Sequence, residues 1–493
     1  MADTQQPNGS EQAHGLARDR TSGERSITPE DLAKRLQEIC GAQNVKTDTA
    51  AMKKYARDQV AESRYAHAPD VVVLPTTVEQ VQQIVQLANE TTTPITPRGG
   101  GSGLSGGAVP VQGGISLSVE KLNRIIEIDE ANLIAVLEPG VVTNELDKKL
   151  EPMGLFFAGY PMSEEICYIG GNVAENAGGG RAIKYGVTGR YVTGLDVVLP
   201  SGELITLGGK RLKDVTGYDL LSLMVGSEGT LGIITKVYLK LLPRPTQRTA
   251  MLALFGSAAD AVLAISNVMK SGGVVPTSAE FMDGFCLREA CAVAKDPLDT
   301  TGAEAAVLFE SDGTNREVVA AEAETIAEVC RESKARAVHT AESSADAERY
   351  WKIRKQVAWA LRRHGEKQSL EDVTIPPAAL ASLLERIEEL AERYGVYIPV
   401  FGHAADGNIH ATPLKPKELS DDEWDARLPK LLTDLYRETH RLGGTISGEH
   451  GIGNKRSIYM SLVTDQPTLA LMKRVKTAFD PKGIMNPGKI LPG

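Results

Sequence analysis

Eight histidines are spread over the 493 residues, and two of them fall in the run Gly402 to His410, GHAADGNIH. Neutral imidazoles are good ligands for first-row metals. Positions seven apart in one uninterrupted strand face opposite sides, so His403 and His410 meet only if the chain turns between them. The sequence Asp406-Gly407-Asn408 is turn-prone, and the strand-like run Val396 to Phe401 leads into it. The bland alternative is a buried structural pair. A second stretch, Gly443 to Gly453, reads GGTISGEHGIG and sets an adjacent acid and histidine between glycines. Glu449 could complete a His2Glu metal set with His403 and His410, leaving His450 free to act as a base. His450 could instead be the third ligand; spacing alone does not choose. A cation with an open position would orient a hydroxyl and lower its pKa.

These groups need a scaffold and a partner for the chemistry, and three glycine clusters point to one. Pro97 to Gly107 reads PRGGGSGLSGG, Gly170 to Gly180 reads GGNVAENAGGG, and Gly226 to Gly232 reads GSEGTLG. Closely spaced glycines let successive N-H groups converge on an anion, and a pyrophosphate suits such a concavity. The first cluster is neither a dinucleotide fingerprint opening a helix nor a P-loop, which would end in lysine and a hydroxyl. Three clusters together favour a large, extended cofactor over a single phosphate.

Composition narrows the rest. A formal charge of -10 with no long basic run argues against nucleic acid as a main partner. Cys40, Cys167, Cys286, Cys291 and Cys330 are scattered, without CxxC or cluster-binding spacing, and read as reduced thiols. No apolar run is long enough to span a bilayer, and the N-terminus lacks the apolar core of a secretory signal. The expectation is a cytoplasmic protein with no transmembrane segment, compatible with peripheral attachment to a membrane.

Along the chain, residues 1–26 have almost nothing to bury and read as a disordered tail. Thr28 caps a helix opened by Pro29. Strand candidates are Val71 to Leu74, Ile115 to Val119, Ile125 to Ile128, Ile134 to Leu137, Gly194 to Leu199, Leu204 to Thr206 and Leu231 to Leu242. Helical crossovers after Gly107 are short, which fits an α+β domain better than a doubly wound sheet. Pro243 to Pro245 marks a boundary. Beyond it, Thr249 to Phe255 and Ala305 to Phe309 read as strands, and Ala258 to Met269 and Asn315 to Ser333 as helices, the last capped by Asn315. Pro467 to Phe479 is helical, and the proline and glycine tail from Asp480 is ordered only if it lies against another part of the fold. The expected organisation is a first domain over 27–244, a cap over 245–441, and a final segment over 442–493 that returns to the first domain.

From about Val71 to Gly488 the chain resembles the FAD-dependent oxidases and dehydrogenases with the vanillyl-alcohol-oxidase or cresol-hydroxylase type of flavin fold. The similarity is greatest to their D-2-hydroxyacid branch of glycolate oxidase flavin subunits, D-lactate dehydrogenases and D-2-hydroxyglutarate dehydrogenases. PRGGGSGLSGG, GGNVAENAGGG, GSEGTLGI, GHAADGNIH, SGEHGIG and the terminal NPGK occur in the family order. The resemblance implies a bipartite FAD-binding domain under an α+β cap, whose sheet carries helices on one side. Pro97, Arg98, Gly99, Gly100, Gly101, Ser102, Gly103 and Ser105 would form the pyrophosphate loop. Gly170, Gly171, Asn172, Ala177, Gly178 and Gly179 would line the flavin path. Glu228, Gly229 and Ile234 would lie near the nucleotide end, and Asn486 would return with the tail.

The resemblance also makes His403, His410 and Glu449 ligands of a divalent metal (Zn, Mn or Fe) and His450 the base. It makes Arg354 the clamp for the substrate carboxylate, a task that suits a guanidinium; Lys355 and Arg362 are weaker anion contacts. The implied reaction is oxidation of a D-2-hydroxyacid to the 2-oxoacid by hydride transfer from C2 to flavin N5. An external acceptor would reoxidise the flavin: a quinone, a cytochrome, an electron-transfer flavoprotein or partner subunits. The rivals are a related FAD enzyme on another alcohol and a flavin-binding subunit with little catalysis of its own. Ala405 departs from the family's GHxGDGNxH, and its methyl fits only if the backbone is not left-handed there. Neither of the first two glycine clusters holds a histidine, so FAD is expected to be noncovalent; Cys167 is the one nearby nucleophile.

Overall fold

The computed structural model describes residues 26–365 and 367–492. The expected disordered tail lies outside the described residues except for Ser26. Thr28 caps the helix Pro29–Cys40 by accepting the Asp31 N-H. A cap of this kind stabilises a helix by about 1 kcal/mol.

Two sheets build the N-terminal half. In the first, Val71–Val73, Ile115–Ser118 and Ile95–Arg98 run parallel, and Val45–Lys46 pairs antiparallel at one edge. The second is wholly antiparallel, in the order Ile125–Asp129, Ile134–Leu137, Ile233–Lys240, Val192–Val198, Leu204–Gly208. The tail is ordered because it adds to the first sheet. The Ile95 N-H donates to Ile484 O at 2.8 Å, and the Asn486 N-H to Ile95 O at 2.7 Å.

The third sheet has seven antiparallel strands, in the order Ala335–Thr340, Gln247–Phe255, Ala305–Gly313, Ser278–Asp283, Val400–His403, Asn408–Ala411, Glu371–Thr374. The expectation of helices on one side only is wrong. Met251, Ala253 and Phe255 pack with the helices Ala258–Lys270 and Arg316–Glu332, whereas Ala250, Leu252 and Leu254 pack with Gly284–Ala294 and Ser344–Leu361. The physical reason is in the sequence: MLALF and AAVLF are apolar at every position. Strands of that kind are buried on both faces.

Candidate functional site: a two-ended cavity under the seven-stranded sheet

Strand register brings the polar groups together. In the hairpin Val400–His403 and Asn408–Ala411, Phe401 faces His410 and His403 faces Asn408. His403 shares a face with Phe401, two residues before it, so both imidazoles lie on one side of the sheet. The ring centroids are 5.5 Å apart. The turn is the short helical segment Ala404–Asp406, closed by Gly407 at φ +79°. Ala405 is buried in that turn, and its φ is not among the positive values, so its methyl is accommodated. The same register extends outward. Glu280 pairs with His403 on one side, and Asp372 pairs with His410 on the other. Glu280, His403, His410 and Asp372 therefore form a polar row on the face that the helix Ser344–Leu361 covers.

The loop Ser447 to His450 completes this row. Asp372 holds it by accepting at one oxygen, Oδ2, from Ser447 Oγ (2.7 Å) and from the N-H groups of Gly448, Glu449 and His450 (2.9, 3.0 and 2.8 Å). Its Oδ1 accepts from Asn408 Nδ2 at 2.8 Å. Burial favours its neutral form, but His450 and His410 outweigh that and lower its pKa to about 2.

Held this way, Glu449 presents Oε1 to three imidazoles. His403 Nε2 lies 3.3 Å away, His410 Nε2 3.4 Å and His450 Nε2 3.7 Å. The opposite ring nitrogens turn toward carboxylates: His403 Nδ1 donates to Glu280 Oε1 at 2.7 Å, and the Nδ1 atoms of His410 and His450 lie 3.6 and 3.8 Å from Asp372. Three ring nitrogens and one carboxylate oxygen converging in a buried place are a donor set for a divalent cation, with the outer carboxylates orienting the rings. Asp372, His410, Glu449 and His450 also have ligand-type atoms within 4.8 Å of one another. Asp372 is the member least able to ligate, because both of its oxygens already accept hydrogen bonds.

His450 stacks on His410, with centroids 4.9 Å apart and planes 9° from parallel. Burial, reinforced by His410, lowers its pKa to about 4 against the pull of Asp372 and Glu449. It is a neutral imidazole at neutral pH. Burial also disfavours charge on His403, but Glu280 and Glu449 together outweigh it and raise its pKa well above the usual value.

These side chains form one end of a cavity of about 650 Å³. Of the residues expected to hold a cofactor, Pro97 to Gly103, Gly170, Gly171, Asn172, Ala177, Gly178, Glu228, Gly229 and Ile234 line it. Ser105, Gly179 and Asn486 do not, and each has another place. Ser105 O accepts the Lys455 N-H at 3.1 Å, and a Cβ on Gly179 would stand 2.7 Å from Tyr160 O. Asn486 Nδ2 donates to Gly107 O (3.0 Å) and Glu228 O (2.7 Å), tying two glycine segments together from behind. Arg98 lines the cavity, but its guanidinium is held by the carbonyls of Arg57 and Lys54, both at 2.9 Å.

The walls of the cavity approach closely at Gly100 and Gly178. A Cβ on Gly100 would lie 2.4 Å from Ile166 O, and one on Gly178 3.1 Å from Glu449 Oε2. The second contact brings the glycine-lined channel against the histidine cluster. Overpacking of this kind costs about 1–3 kcal/mol. Gly100→Ala should therefore weaken FAD retention about 10- to 100-fold, read as the flavin remaining after gel filtration. Cys167 also lines this wall; its thiol lies 3.2 Å from Thr143 Oγ1, and burial raises its pKa.

Several functional positions were not foreseen from the sequence. Glu280 lies among Ala279, Phe281 and Met282, and Asp372 lies beside Glu371 just before Val373; acids inside short, largely buried strands were the available signal. Glu228 was expected near the cofactor, but its carboxylate also accepts the N-H groups of Ile452 and Gly453, both at 2.7 Å. It thereby fastens the Glu449 loop to the glycine-rich half. Of the expected anion contacts, Arg354 is buried and faces the cavity, Lys355 pairs with Glu164 at 3.4 Å near its mouth, and Arg362 does not line it. Among the described residues no helix is long and apolar enough to cross a membrane.

Comparison with known proteins gives the family. Residues 69–208 match the FAD binding domain model, and residues 244–490 match the C-terminal domain of FAD linked oxidases. The chain is 38% identical to glycolate oxidase subunit GlcD of Bacillus subtilis, over 93% of this chain and 96% of that one. It is also 38% identical to a D-lactate dehydrogenase of Archaeoglobus fulgidus, over 85% of this chain and 91% of that one. Among solved structures, p-cresol methylhydroxylase superposes with a TM-score of 0.76 at 19% identity, covering 94% of this chain and 97% of that one. At that identity the likeness speaks for the fold.

Proposed function

The chain belongs to the FAD-linked oxidases, as a flavoprotein of the D-2-hydroxyacid dehydrogenase and oxidase group, and from that premise we propose that it oxidises a small D-2-hydroxyacid to the 2-oxoacid. The observation that carries the reading is the convergence of three imidazole Nε2 atoms on Glu449 Oε1 in the cavity that the three glycine segments line.

In this reading FAD lies along the glycine segments without a covalent bond and supplies the acceptor for the hydride leaving C2. His403, His410 and Glu449 hold a divalent cation, which supplies Lewis acidity toward the substrate hydroxyl. Arg354 binds the carboxylate. Its side chain lines the cavity, and its buried Nε has no hydrogen-bond partner among the described residues. His450 accepts the hydroxyl proton at Nε2: its lowered pKa keeps the ring neutral at neutral pH, and the tautomer with its proton on Nδ1, toward Asp372, leaves Nε2 free. Stacking on His410 and the Asp372 cage hold the ring in place. An external partner, a quinone, a cytochrome, an electron-transfer flavoprotein or partner subunits, then takes the electrons.

The test is anaerobic bleaching of the flavin band by the purified, metal-quantified protein. Paired D and L enantiomers of lactate, malate and 2-hydroxyglutarate are compared, together with glycolate. Bleaching by a D acid, or by glycolate, with the L enantiomers inert, is the expected result. A fully FAD- and metal-loaded protein that no member of the panel bleaches would refute the reading and favour a flavin-binding subunit or another alcohol.

A further inference from the structure

Glu280 is fully buried on the strand Ser278–Asp283, and its two oxygens go to two different functional groups. Oε1 accepts the His403 Nδ1 proton at 2.7 Å. Oε2 lies 2.6 Å from Arg354 Nη2, a close ionic contact that is not aligned as a hydrogen bond. Arg354 is buried as well, and its guanidinium lies 5.1 Å over the Phe401 ring.

We propose that Glu280 is a positioning residue shared by the cation site and the carboxylate clamp, so that metal affinity and hydroxyacid recognition are set by one side chain. The proposal rests on the assignments of His403 and Arg354 made above. On the histidine side, a carboxylate accepting from Nδ1 fixes the tautomer, aims Nε2 at Glu449 and makes that nitrogen a better donor to a cation; loss of such a partner typically lowers metal affinity 10- to 100-fold. On the arginine side, Glu280 holds the guanidinium beneath the cavity but cancels its charge.

Two variants separate this from a merely structural role, with zinc as the probe and a chromogenic chelator as competitor on FAD-loaded protein. Glu280→Gln keeps the shape but loses one acceptor and the charge. Its zinc affinity should fall about 10- to 100-fold, and KM for whichever acid bleaches the wild-type flavin should rise. Arg354→Met leaves Glu280 to His403 alone, with its charge uncancelled. Its KM should also rise, but zinc should bind several-fold tighter. Opposite shifts in zinc affinity with a common rise in KM support the proposal. Zinc affinity unchanged in Glu280→Gln, or weakened in both variants, overturns it. If Glu280→Gln does not fold, Arg354→Met decides alone, and unchanged zinc affinity there refutes the coupling. Because zinc binding needs no substrate, opposite zinc shifts in a protein that no hydroxyacid bleaches would sink the functional reading and leave the shared carboxylate standing.

Discussion

Glu449→Gln should strip the cation and lower turnover about a thousandfold while leaving FAD in place. Oε1 of Glu449 is the atom on which the His403, His410 and His450 Nε2 atoms converge. It supplies the negative charge of the cluster, and an amide in its place cannot. Lewis-acid assistance is worth several kcal/mol of transition-state stabilisation, and each 1.36 kcal/mol is about tenfold in rate. The flavin channel is built from other residues. Among the described glycines, Gly178 is the one where an added Cβ would meet this side chain, 3.1 Å from Glu449 Oε2, and a glutamine of equal size preserves that gap. The variant should therefore show wild-type flavin absorbance, zinc near zero by elemental analysis, and a kcat about a thousandfold lower. Full metal content with wild-type turnover would remove Glu449 from the cation site.

The separation between metal content and flavin content reflects how the two halves are joined. The Glu449 loop belongs to neither half alone. Asp372 holds it from the seven-stranded sheet through three backbone N-H groups and Ser447. Glu228 holds it from the glycine-rich half through Ile452 and Gly453. Gly451 and Gly453 lie at φ +83° and +53° and would bring a Cβ to 1.9 Å from Glu175 Oε2 and 2.0 Å from Ser105 O, so only glycine lets the loop pass between the two holds. GEHGIG is thus a spacing requirement as much as a chemical one.

That requirement is why part of the site could be read from the chain. Glycines at tight crossings and the residues between them are contiguous, so His403, His410, Glu449 and His450 stand out in short motifs. The caps at Thr28 and Asn315 and the strands of the first two sheets other than Val45–Lys46 are equally local. Glu280 and Asp372 are different. Each lies far from its partners in sequence, and the register that sets Glu280 opposite His403 and Asp372 opposite His410 is fixed by strand pairing across the sheet. A buried acid must be paired or neutral, so the acids inside SAEFMD and EDVT announce that partners exist. They do not say which. The second helical layer was also written in MLALF and AAVLF, whose lack of alternation means burial on both faces.

His450→Gln separates the last two assignments that spacing left open. As a base, His450 need only be neutral and near the reacting hydroxyl. Burial, with His410 stacked at 4.9 Å, brings its pKa to about 4, so the ring is neutral at neutral pH, and with its proton on Nδ1 it has the Nε2 lone pair to offer. Its Nδ1 has no hydrogen-bond partner among the described residues and lies 3.8 Å from Asp372 Oδ2, which is placed to stabilise the ring once it has gained a proton. A positioned base contributes about 10²- to 10⁴-fold. Glutamine keeps the volume beside His410 but accepts no proton, so kcat should fall by that factor with FAD content, zinc content and KM close to wild type. If His450 is a ligand, the same substitution must lower zinc content together with kcat, and added zinc should restore part of the rate. Its Nε2 is the farthest of the three from Glu449 Oε1, 3.7 Å against 3.3 and 3.4 Å for His403 and His410, yet His450 and not His403 has a ligand-type atom within 4.8 Å of Asp372, His410 and Glu449 alike, so the zinc content of this variant decides between the two assignments.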